Sequence, residues 1–220
     1  MMTARNAGRT AGALIIAQGI GAVVTMFVLL QPALDPPGFL VNAAPHALRV
    51  GASVLLGMVT GALAAAIAIT VLPVFRKYSE TMALWFLALA IAALSLAVVE
   101  NSKVMSLLSL SQAYAASGAD PAAFEGLRGV VAASRNWAHF THIVVGGSTL
   151  FVFYLTLFRF ALIPRALAGL ALVAVALQIA TVSMPFFGVR VAFLLLAPAG
   201  IAHLASAAWL LAKGFPDTPA

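Results

Sequence analysis

Residues 12–31 read GALIIAQGIGAVVTMFVLLQ, twenty positions without an Asp, Glu, Lys or Arg. A helix rises about 1.5 Å per residue, so twenty residues reach across about 30 Å, the hydrocarbon thickness of a bilayer. Arg5 and Arg9 precede the run, as they would in a secretory leader. The apolar stretch is too long for a leader, and no small-x-small cleavage pattern intervenes before Gln31-Pro32. The segment therefore reads as a retained membrane anchor.

The rest of the chain has the same character. Of 220 residues, 63% are hydrophobic and 8% are charged, and the mean hydropathy is +1.08. A water-soluble domain carries about a quarter charged residues. Polar side chains are too few here to cover a surface facing water, so lipid must be the solvent. Six apolar runs are long enough to cross, at about 11–31, 47–73, 81–110, 137–159, 165–184 and 189–213. The expected fold is an all-α, polytopic transmembrane helix bundle forming a single membrane domain over 1–220, with no sizeable soluble domain. Cysteine is absent, which excludes disulfides, thiolate metal sites and a cysteine nucleophile. The net charge of +6 does not imply nucleic acid, because the basic residues flank the apolar runs, where the positive-inside rule places them.

Those basic residues also orient the chain. Arg5, Arg9, Arg76, Lys77, Arg159, Arg165 and Lys213 fall on one side, and Arg49, Lys103, Arg128, Arg135 and Arg190 on the other. The larger set occupies the termini and short turns, so both termini are expected in the cytoplasm. Two longer connections then lie outside. In the second, of about 25 residues, Asp120-Pro121 has the form of a helix start. Phe124, Leu127 and Val131 recur at helical spacing behind it, which suggests a short amphipathic outer-loop helix.

Small residues predict close helix packing: Gly12, Gly19 and Gly21 in the first span, and the GMVTG match at 57–61 in the second. His139, His142, Gly146 and Thr149 fall on one face of the fourth span, directing the histidines away from acyl chains. Pro198, inside the sixth run, is expected to kink it near Leu194.

Ionisable groups within spans are costly and mark candidate sites. Glu100, His139 and His142 lie at comparable depth near the outer side and can meet, with His46, Arg49, Lys103 and Arg190 toward the rim. His203, about fourteen residues into its run, is too deep to join them. Three uses follow. In the leading reading the protein is non-enzymatic, and the polar mouth binds an anionic lipid or amphiphile, or a membrane partner, through Glu100, His139, His142, Arg49, Lys103 and Arg190. In the second it is a proton-coupled small-molecule transporter in which Glu100 and the two histidines titrate. In the third, His139, His142 and Glu100 hold a zinc ion that activates water for hydrolysis; HxxH alone is a weak signature for this, and no cofactor is otherwise implied. Glu100 is expected to be neutralised by Lys103 or by a nearby arginine. The lipid bilayer is the one partner composition requires, and the sequence leaves association into a homo-oligomer open.

Four segments in fixed order carry a resemblance: LPVFRKYSE (72–80), LSLSQAYAASGADPAAFEGLRG (108–129), FRFALIPRALAGLALV (158–173) and AAWLLAKGF (207–215). Together they resemble a bacterial integral-membrane family, the domain of unknown function DUF4386, over about residues 10–215. The resemblance implies a multi-helix bacterial inner-membrane protein. It implies no particular activity, cofactor or catalytic residue.

Overall fold

The computed structural model describes residues 2–118 and 120–216. Among these there is no strand, and the chain is an all-α polytopic protein, as the composition requires. Six helical segments are long and apolar enough to cross a membrane. They are α1 (Ala4–Leu34), α3 (Ala47–Phe75), α4 (Glu80–Ser117), α5 (Ala122–Arg159, opened by Pro121), α6 (Arg165–Phe187) and α7 (Phe193–Lys213). A single turn, α2 (Phe39–Asn42), lies in the connection after α1. α1 is wound as a π-helix over Val24–Leu30, and α6 tightens to 3-10 geometry over Met184–Phe187.

Within each span's most apolar window, between 11% and 33% is buried inside the protein. Phe27, Leu55, Ile69, Leu170 and Val173 are more than half exposed. In water that exposure would be a severe cost; acyl chains remove it. The protein is therefore a multi-pass membrane protein.

Several boundaries differ from the sequence reading. Most of the expected 25-residue outer loop is helical, because α4 continues to Ser117 and the next helix already opens at Pro121. The expected amphipathic helix does begin at Asp120, whose carboxylate accepts the Ala122 N–H at 3.0 Å. It is not a separate element, however, but runs unbroken into the fourth span. No glycine or proline in VVAASRNWAHF interrupts the ladder, so nothing stops the helix. Pro73 does not end α3, which continues to Phe75. Pro198 does not kink the interior of a helix. It occupies the first α-helical turn, Ala197 onward, after a 3-10 turn over Phe193–Leu196. Its missing N–H would be unpaired at that position in any case.

The chain divides into two compact units, and four of the helices supply residues to both. The first unit comprises residues 1–18, 62–94 and 143–220. Its core is aromatic: Phe75, Phe86, Phe153 and Phe215 stack with centroids 5.3–6.1 Å apart, and Tyr154 meets Phe153 edge-on. α1 and α7 approach closely through Gly12, where an added Cβ would lie 2.6 Å from the Leu211 nitrogen. Arg9 donates to the Ala212 carbonyl at 3.1 Å, satisfying one of the acceptors left at the end of α7.

The second unit comprises residues 19–61 and 95–142. Its smaller core joins Ala33, Ala43, Val50, Val54, Val104 and Leu108. In the GMVTG stretch, Gly57 admits the Asn101 side chain to 2.8 Å of its would-be Cβ. The connection around α2 is pinned to α4, where the Ser111 hydroxyl accepts the Ala44 N–H at 2.9 Å.

Candidate functional site in the α4–α5 hairpin

α4 and α5 are antiparallel neighbours within the second unit. Tyr114 meets Phe124 edge-on at 5.4 Å near the turn, and Glu100 meets His139 further along. Ala97, Val104, Leu108 and Ser111 form the buried stripe of α4, and Glu100 follows Ala97 by three residues. Its side chain is 13% exposed. From α5, Arg135, His139 and His142 stand at i, i+4 and i+7, one face of a helix over about 10 Å. That spacing lets a single carboxylate meet all three.

The contacts are direct. His139 donates from Nδ1 to Glu100 Oε1 at 2.8 Å, and His142 from Nδ1 to Oε2 at 2.9 Å. Arg135 donates from a terminal nitrogen to Oε1 at 3.0 Å. An ionised carboxylate only accepts, so both imidazoles carry a proton on Nδ1. In its neutral form each ring then presents Nε2 as an acceptor. The two imidazole side chains are 35% and 30% exposed, so the cluster is open on the histidine side. With neutral rings the group sums to zero, Glu100 against Arg135; each proton added to a ring raises it by one.

The structure thus brings together Glu100, His139 and His142, as the spacing predicts. Arginine, not lysine, neutralises the acid: Arg135 pairs with Glu100, while Lys103 is half-buried and makes no ion pair among the described residues. The other rim cations are not part of the cluster. Arg49 is exposed, one turn beyond His46, whose Nδ1 bonds the Asn42 carbonyl at 2.9 Å. Arg190 is exposed and belongs to the first unit. His203 does not join the cluster either; its Nδ1 shares a 2.6 Å hydrogen bond with the Tyr154 hydroxyl. Arg135 is the member that sequence reading placed only among the basic residues of the outer side. Its signal was present in the spacing of 135, 139 and 142.

The distances bear on the metal reading. Zinc bound at about 2.0–2.2 Å to nitrogen and oxygen holds tetrahedral ligands about 3.3 Å or more from one another. The imidazole nitrogens here sit at hydrogen-bonding distance from the carboxylate, with no room for an ion between. Among the described residues no group of three or more His, Asp or Glu is arranged to hold a metal. The carboxylate bonds Nδ1 of each ring and so leaves Nε2 turned toward a partner.

No curated protein and no solved structure matches the chain. A family model described as a domain of unknown function (DUF4386) matches residues 10–214, nearly the full length, and the chain belongs to that family.

Proposed function

We propose that this protein is a proton-coupled small-molecule transporter of the bacterial inner membrane, with both termini in the cytoplasm. The observation that carries this reading is one carboxylate, Glu100, whose two oxygens each take a different imidazole. Ionisable residues inside spans are expensive and persist where they serve ion or proton movement. Histidine is the side chain whose ordinary charge change falls between pH 5 and 8. Proton uptake by the rings makes the cluster cationic while Glu100 keeps both hydrogen bonds. A bound anionic solute offsets that charge, and a solute held more tightly by the protonated form is thermodynamically linked to the proton. The orientation rests on the basic residues of the termini and short turns.

The test uses purified protein in vesicles loaded with a pH-sensitive dye, under an imposed inward proton gradient. A panel of small carboxylates and phosphate esters is added in turn. Solute-dependent proton entry is expected with the native chain and none with Glu100→Gln. A panel that moves no protons, with the cluster intact by spectroscopy, removes the transport reading.

A second reading, a non-enzymatic binder of an anionic amphiphile at the same site, is favoured by Lys103, a cation one helical turn from Glu100 without an ion pair among the described residues. It predicts a ligand retained in native mass spectrometry and lost with Lys103→Glu, without any proton movement.

A further inference from the structure

At one end of the first unit, an open groove of about 560 Å3 lies between the start of α1, the turn leading into α6, and the chain after α7. Three cations line it, Arg5, Arg165 and Lys213, and no Asp or Glu is among its described lining residues. Trp209 stands beside them, and Leu162 and Phe215 supply an apolar floor. We propose that this groove binds a phosphate ester, borne either by an anionic phospholipid or by a soluble molecule.

The groove's frame is fixed by backbone. Gly214 has φ 71°, and a Cβ there would collide with the Arg5 carbonyl. Gly8 is as close to Phe215 and Gly214, and Arg5 Nε donates to the Lys213 carbonyl at 3.5 Å. Two of the cations are thus held in register across 208 positions of sequence. The third, Arg165, opens α6 directly after the turn that forms the groove wall. Arg165 and Lys213 place like charges around one concavity, and an anion relieves their repulsion. Phosphate suits it best, since guanidinium bonds phosphate oxygens in pairs and lysine adds a point charge. Tryptophan favours the depth of lipid headgroups. The volume is in the range of small-molecule sites and exceeds a bare inorganic phosphate, leaving room for a glycerol or other ester group over Phe215.

The experiment uses the full chain. Native mass spectrometry from mixed phosphatidylglycerol and phosphatidylethanolamine reads lipid retention, and calorimetry with glycerol 3-phosphate in detergent reads the soluble arm. Phosphatidylglycerol retention by the native chain, falling about tenfold in Arg165→Glu/Lys213→Glu and by less in Arg165→Lys, which keeps the charge but loses the paired bonds, is expected for a lipid phosphate. Glycerol 3-phosphate binding with the same variant pattern, and no lipid preference, assigns the site to a soluble ester. Binding of neither, or binding unchanged by the double reversal, overturns the proposal. Thermal melts identify any variant that fails to fold, and Arg165→Gln/Lys213→Gln then replaces it with the same expected loss.

Discussion

His142 Nδ1 lies 2.9 Å from Glu100 Oε2, a hydrogen bond closed across 42 positions of sequence. With His139 on the other oxygen, Glu100 is the hinge of the polar cluster and the residue whose replacement is most informative.

Glu100→Gln keeps the shape but removes the charge and one acceptor. One imidazole Nδ1–H then faces an amide N–H, and Arg135 loses its counter-ion. Hydrogen bonds to charged groups are worth about 1.5–3 kcal/mol each, and partial exposure of Arg135 and the rings reduces that. The expected loss is about 1–3 kcal/mol in denaturant unfolding from detergent micelles. A variant as stable as the native chain would mean that the carboxylate does not hold these side chains.

The hydrogen-bond direction is itself measurable. Nitrogen-15 spectra of labelled His139 and His142 should show the Nδ1–H tautomer above the pH at which the rings are charged. The alternative tautomer should appear with Glu100→Ala. An Nε2–H signal in the native chain would contradict the arrangement described.

Glycine substitutions separate close approaches from open positions. Gly12→Ala places a methyl 2.6 Å and 2.7 Å from backbone atoms of Leu211 and Ala207. Backbone cannot rotate away, so α1 and α7 must separate, at a cost of about 1–3 kcal/mol. Gly51→Ala meets nothing within 4 Å and should be neutral or stabilising by up to about 1 kcal/mol. Thermal melts of the two variants in one detergent should move in opposite directions or, for Gly51→Ala, not move. Equal losses would argue against the α1–α7 contact.

Tyr154→Phe removes a buried hydroxyl, leaving His203 Nδ1 without its 2.6 Å partner. The ring's packing against Phe153 is kept, so the effect reports the hydroxyl's hydrogen bonds, to His203 and to Ser206, at about 1–2 kcal/mol. Activity assigned to the Glu100 cluster should be unaffected in its proton dependence. A shift in that dependence with Tyr154→Phe would draw His203 into the site.

Much of this protein was legible from one dimension. A chain with so few charges has one available solvent, and spans such as 12–31 announce themselves by length because every backbone polar group in lipid must be satisfied within a helix. The same logic gave Glu100 and the histidines: each is costly in a span and so conspicuous. The segment 120–136 was harder. It looks like a separate surface helix because its composition turns polar, but composition does not end a helix; Gly126 and Gly129 weaken this one without stopping it, and no proline follows Pro121 before the span. Pro198 was misplaced for the complementary reason, since proline is compatible with either a kink or a first turn, and only the course of the preceding residues distinguishes them.

Amino-acid order alone determined the solvent, the number of crossings and the polar groups that demand a role, because transfer costs are local and add along the chain. Tertiary structure alone decided which cation answers Glu100. Lys103 is nearer in sequence, yet the antiparallel register of α4 against α5 delivers Arg135, His139 and His142 to the carboxylate. That register is set by side-chain packing between helices, a property of two surfaces together that neither segment's sequence displays by itself.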